Sequence, residues 1–252
     1  MDQIPFEKVH ACGNDFLILS QDPDDALVAA MCARRHGLGA DGIMVYSLDQ
    51  DQAVRIKHYD PDGSETFCIN GLRATLSCLH TQGKLPGDAG VTIHSGFKIR
   101  YQFAPHLILT SAAPSYQALS LSLPDGELKG YFAGGRSPHF VVLDQAFGSN
   151  DFCGHALHIR WHMRFSEGAN VHAVWREEDH WRIRSYERGV EGQTLACGSG
   201  MLAAAQVLHG VHGLKTIRFV PDGGDHVDIT CDGQNQQLWG PSVWVASGVW
   251  RC

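Results

Sequence analysis

The chain repeats itself, and a sequence that carries one plan twice is constrained to fold as two like halves. The clearest match lays CINGLRATLSCLH, residues 68–80, over CGSGMLAAAQVLH, residues 197–209. Both segments carry Cys, then Gly three residues on, Leu or Met next, Ala after one more residue and Leu-His at the end. Upstream, RIKHY (55–59) matches RIRSY (182–186). Further upstream, NDFLIL (14–19) resembles SPHFVVL (137–143), with Phe16 laid over Phe140. One such match could arise by chance. Three in the same order read as a duplication.

Each half then has a coarse plan. An apolar strand (Phe16–Leu19; Phe140–Leu143) precedes a helical stretch, and an alternating strand ends at Tyr59 or Tyr186. A polar Gly-rich turn follows, DPDGSE or ERGVEGQ, and then the cysteine opens a helix. Leu72, Leu76 and Leu79, or Leu202, Ala205 and Leu208, recur at helical spacing. Glycines are expected to end these helices, Gly83 in the first half and Gly210 and Gly213 in the second. GVTIHS, KIRYQF and LILTSA complete the first half as strands, and TIRFV, HVDIT and SVWVA the second. The boundary is expected in SYQALSLSLPDGELK, around residue 120, giving domains 1–120 and 121–252.

Composition narrows the function. A net charge of -7 argues against a nucleic-acid or anionic-membrane partner, for which a basic stripe is expected. No apolar run is long enough for a membrane span, and MDQIPFEKVH does not read as a secretory signal. A cytoplasmic location is therefore expected, where thiols stay reduced. The eight cysteines (12, 32, 68, 78, 153, 197, 231 and 252) include no C-x-x-C pair. The densest histidine group, His155, His158 and His162 in HALHIRWH, does not resemble H-E-x-x-H, and no metal site is expected.

A cysteine where a helix begins is chemically poised. The first amides of a helix have no intrahelical acceptor, and the dipole favours negative charge there, so a thiolate is stabilised. A pseudo-two-fold between the halves would set Cys68 and Cys197 on opposite sides of one cleft. Opposed thiols suit inversion of a stereocentre by two bases: one thiolate removes a proton and the other thiol returns one to the opposite face. The amides of Ile69, Asn70, Gly198 and Ser199 would point at a substrate carboxylate and stabilise charge spreading onto it. Gly71 and Gly200 would let the two helices begin tightly, with substrate close to the backbone. The alternatives are a redox pair closing to a disulfide and buried cysteines without a role.

The motifs GNDF (13–16), GADG (39–42), DGSE (62–65), CINGLR (68–73), PH (138–139), FSEGANV (165–171), YERG (186–189), TLACGSG (194–200) and PDGG (221–224) stand in this order. In them the chain resembles the diaminopimelate epimerase family over nearly its whole length. The resemblance implies an α+β fold of two pseudo-symmetric domains, each a curved mixed or antiparallel sheet wrapped around a central helix. The last strand is a candidate to return to the first half. It also implies that Cys68 and Cys197 are the acid and base, and that Asn14, Asn70 and Asn170 contact substrate. Glu187 and Arg188 would hold the ammonium and carboxylate of the far amino-acid centre.

The chain departs from the family where Asp60 and Ser137 replace asparagines on the side of the distal carboxylate, and where Ile69 follows the first cysteine. An acidic Asp60 would repel a carboxylate or favour an ammonium. The expected activity is epimerisation of LL- and meso-diaminopimelate in lysine and peptidoglycan precursor synthesis. The partner is then a small amino acid, no cofactor is needed, and a homodimer is a compatible assembly. A racemase of another, basic amino acid and a non-catalytic thiol or metal-binding protein are the alternatives.

Overall fold

The computed structural model describes residues 3–49, 53–134, 137–144 and 149–251. The first stretch runs β1 (Gln3–Ala11), β2 (Asn14–Leu19), α1 (Asp25–Cys32), β3 (Gly42–Leu48), β4 (Val54–Tyr59), β5 (Glu65–Thr66), α2 (Ile69–Thr81), β6 (Ala89–His94), β7 (Phe97–Phe103) and β8 (Leu107–Ala112). The second runs β9 (Tyr116–Leu123), β10 (Gly126–Ala133), β11 (His139–Leu143), α3 (Ser149–Arg160), β12 (Asn170–Glu177), β13 (His180–Glu187), β14 (Gly192–Thr194), α4 (Gly198–His212), β15 (Thr216–Pro221), β16 (Val227–Cys231) and β17 (Asn235–Trp239). A final strand, β18 (Val243–Arg251), pairs antiparallel with β1. The chain forms two compact units, one of residues 1–111 with 239–252, the other of residues 112–238.

The two units share one mixed topology. In the first, β1 and β2 are antiparallel, β2 and β3 parallel, β3 and β4 antiparallel, β4 and β6 parallel, and β6 and β7 antiparallel. In the second, β10–β11, β11–β12, β12–β13, β13–β15 and β15–β16 repeat that alternation. The short strands β5 and β14 pair with β4 and β13. Each unit holds one central helix: α2 touches β1, β2, β3 and β18, and α4 touches β9, β10, β11 and β12. Helix α2 is buried at every position from Ile69 to Leu76, and α4 from Gly200 to Leu208. A helix buried all round must be enclosed by its sheet. Each fully buried leucine of these helices contributes about 1.5–3 kcal/mol.

The strand registers correct one sequence match. Tyr59 lies opposite Ile43, and Tyr186 opposite Val171. Ile43 in turn faces Leu17, while Val171 faces Phe140. The counterpart of Phe140 is therefore Leu17, and the counterpart of Phe16 is His139. Laying Phe over Phe slips the strands by one residue, which exchanges their faces.

Two other expectations also differ. Gly210 does not end α4, which runs on to His212 and is capped by Gly213 in the left-handed conformation (φ 71°). A Cβ on Gly210 would lie 1.8 Å from the Tyr116 hydroxyl, so this glycine admits a close approach inside the helix. The segment expected to carry the boundary is strand β9, which runs into a hairpin with β10.

Candidate active site

In the first unit, Cys68 is the N-cap of α2, and its Sγ accepts from the Gly71 amide at 3.4 Å. Its own amide donates to His94 Nε2 at 3.0 Å. His94 is fully buried, and its Nδ1 donates to the Ile56 carbonyl at 3.0 Å, so Nε2 keeps the lone pair that receives Cys68. The Cys68 thiol lies 3.9 Å from Asn14 Oδ1, which also accepts from Asn70 Nδ2 at 3.3 Å. Asn14 Nδ2 donates to Asp41 at 2.8 Å. Asp41 and Asp15 share Arg34, and Lys8 reaches Asp15 as well. Burial alone would raise the Asp15 carboxyl, but hydrogen bonds from Arg34 and Lys8 hold it below the usual carboxylate range. The acidic residue of GADG, Asp41, thus anchors the asparagine of GNDF.

In the second unit, Cys197 is the N-cap of α4 and is buried. Burial raises its thiol well above the ordinary value, the Glu187 carboxylate raises it further, and Ser199 and the Gly200 amide oppose. Ser199 Oγ lies 3.6 Å from the sulfur. Glu187 also accepts from the Thr194 hydroxyl at 2.5 Å. The structure thus sets Glu187 against the thiol itself. Asn170 braces the neighbouring turns: its Oδ1 accepts the Arg188 amide at 2.8 Å and its Nδ2 donates to the Pro138 carbonyl at 3.1 Å. The Arg188 guanidinium rests on Glu167, 3.2 Å from its carboxylate.

The amides of Ile69, Asn70, Gly198 and Ser199 precede the first helical hydrogen bonds, which run from Leu72 to Cys68 and from Met201 to Cys197. They are the donors a helix start offers an anion. Gly71 and Gly200 lie where each helix packs tightly on its sheet. A Cβ on Gly71 would meet Met44 Sδ at 2.4 Å, and one on Gly200 would meet His172 Cε1 at 2.2 Å. Each glycine makes room for a side chain of its own sheet.

Register identifies further counterparts. Asp60 follows Tyr59 as Glu187 follows Tyr186, and Thr66 pairs beside β4 as Thr194 pairs beside β13. Each carboxylate is hydrogen-bonded by its threonine. Burial, then the nearby charge of Asp62, lifts the Asp60 carboxyl above its ordinary value, against the Thr66 hydrogen bond.

The residues beside the two thiols differ. His139 Nδ1 and His172 Nε2 are 2.8 Å apart in the second unit, where the first has Phe16 and Met44. Ser137 Oγ is 2.9 Å from His139 Nε2, and Ser185 Oγ is 2.9 Å from His172 Nδ1. Burial, then the charge of Arg188, holds His139 down at about 3, and burial holds His172 well below the histidine range. His172 carries no signal in the sequence, since a lone histidine in an apolar strand has no spacing to read. The group that looked densest is dispersed: His155 and His158 lie on α3, while His162 lies beyond it, its Nε2 3.2 Å from the Ser122 carbonyl.

Two like units, each with a cysteine at the start of an enclosed helix, define an isomerase of the racemase and epimerase fold. A hydroxyproline epimerase from Agrobacterium vitis shares that fold, with a TM-score of 0.74 at 12% identity, over 98% of this chain and 92% of that one. A family model described as diaminopimelate epimerase matches residues 134–245. The diaminopimelate epimerase of Xanthomonas campestris pv. campestris is 32% identical, over 99% of this chain and 97% of its own. That of Methanocella arvoryzae is 28% identical, over 98% and 97%. The chain belongs to the diaminopimelate epimerase family.

Proposed function

We propose that this enzyme interconverts LL- and meso-diaminopimelate without a cofactor, serving lysine and peptidoglycan precursor synthesis. Cys68 and Cys197 are the two bases: one thiolate takes the α-proton, and the other thiol returns a proton to the opposite face. The α-carboxylate is received by the amides of Ile69, Asn70, Gly198 and Ser199, where each donor that strengthens toward the transition state is worth about 3 kcal/mol. Asn14, Asn70, Asn170, Glu187 and Arg188 complete the substrate-binding set. The observation that carries this reading is the equivalence of the two helix starts. Both cysteines are N-caps of buried helices, and each unit has a carboxylate, one residue past the matched tyrosine, that a threonine holds.

Exchange of the α-proton followed by NMR in D2O tests it. Cys68→Ala and Cys197→Ala should each abolish epimerisation of LL-diaminopimelate while leaving the fold intact. Cys→Ser at either position should slow it by orders of magnitude, because a hydroxyl is a far weaker acid than a thiol of pKa ~8.5. Full activity in either alanine variant overturns the two-base reading.

Asp60 supports a second reading. A carboxylate where the family resemblance implies an asparagine favours a basic amino acid such as lysine or ornithine over one with a distal carboxylate. Wild-type turnover of lysine far above that of diaminopimelate would establish it.

A further inference from the structure

We propose that His139, His172 and Cys197 form a site for a soft divalent cation of the zinc type, and that its occupation silences Cys197. One ligand atom from each residue lies within 4.8 Å of the others, and all three residues are buried. Two imidazoles and a thiolate are the donor set such a cation prefers.

The imidazole nitrogens at 2.8 Å share one proton, and the cation would take that place. Zinc binds nitrogen at about 2.0 Å and sulfur at about 2.3 Å, so the nitrogens must part by roughly half an ångström and the thiol close in by about one. The outward nitrogens are already held. Ser137 Oγ stands 2.9 Å from His139 Nε2, and Ser185 Oγ 2.9 Å from His172 Nδ1. Such outer hydrogen bonds fix the tautomer and aim of a ligating histidine.

The protons balance. With the His172 Nδ1 proton given to Ser185, His139 Nδ1 donates to His172 Nε2, and Ser137 donates to His139 Nε2. On binding, the His139 proton moves from Nδ1 to Nε2 and is given to Ser137, whose hydroxyl turns to accept it. The Cys197 thiol loses its proton to solvent as the sulfur–metal bond forms. The fourth position is left to water.

The first unit supplies an internal control. At the matching positions it has Phe16 and Met44, neither with a nitrogen to offer, so the site belongs to Cys197 and not to Cys68.

The silencing rests on the two-base reading above, whereas binding does not, and the experiment separates them. Reduced protein is titrated anaerobically with Co2+, and the thiolate-to-cobalt charge-transfer band is recorded. Wild type and Cys68→Ala should bind one equivalent with that band. Cys197→Ala should lose the band. His172→Met, which installs the residue of the first unit, and His172→Gln should each weaken binding about tenfold or more. Thermal unfolding of both variants verifies that they fold, and a misfolded one leaves the other to decide. Zn2+ should inhibit epimerisation at the concentrations that displace cobalt. A wild-type protein without the band overturns the site, as does a band lost in Cys68→Ala or kept undiminished in a folded His172 variant. Cobalt binding in a protein whose Cys68→Ala variant keeps full epimerase activity would sink the two-base reading and leave the site standing.

Discussion

At the scale of single residues, Asp60 is the position where the proposed substrate can be tested. It occupies the register place of Glu187, so the duplicated plan puts a carboxylate in both units. If diaminopimelate is the substrate, the neutral isostere should bind it better. Asp60→Asn should lower KM for diaminopimelate by roughly ten- to a hundredfold, the value of one hydrogen bond to a charged group, and weaken any side activity on lysine. An unchanged KM would remove Asp60 from the site. The cysteines, Asn14, Asn70, Glu187 and Arg188 were legible because they lie in short motifs whose order is distinctive. Thr66, His94 and His172 were not. Each is an isolated polar residue in or beside a strand, and only pairing to a neighbouring strand shows what it supports.

At the scale of elements, helix and sheet approach closely at Gly71 and Gly200. Alanine at either forces a methyl into occupied space, and overpacking a core costs about 1–3 kcal/mol. The two sites should differ. Met44 is a flexible thioether that can turn aside, whereas His172 is buried and hydrogen-bonded at both ring nitrogens. Gly200→Ala should therefore lower the urea midpoint more than Gly71→Ala, and the reverse order would show that the imidazole yields more easily. Helices α2 and α4 were legible from apolar spacing, and the strands beside them from alternation. Strands β3 and β12 escaped notice because each is a nearly continuous apolar run paired in parallel on one side. The one-residue slip between Phe16 and Phe140 has the same origin. Similar side chains on both faces leave the register open until the partners are seen.

At the scale of the whole molecule, buried histidines tie stability to pH. His58 is held down at about 3 by burial, with the charge of His94 adding to it, and His139 and His172 are depressed by burial too. The unfolded chain takes up protons near pH ~6.5 that the folded one refuses, so stability falls as pH drops from there toward 3. Each such histidine contributes about 1.4 kcal/mol per pH unit in that window. Asp15, depressed instead by its cationic partners, adds stability that is lost only at lower pH, below about 4. The urea midpoint at about pH 5 should therefore lie well below that at about pH 7.5, and His58→Gln should narrow the gap. Equal midpoints would mean that these rings take up protons in the folded state. A different consequence comes from the pairing of Gln3 with Arg251 at the far ends of β1 and β18. Residues 112–238 form their unit from one continuous stretch and have every strand they need as soon as that stretch leaves the ribosome. The first unit, although synthesised earlier, must hold β1 unpaired on one side until β18 emerges, and its closure spans nearly the whole chain. The half made first is thus the half finished last, and during synthesis its open strand is the surface most exposed to mispairing.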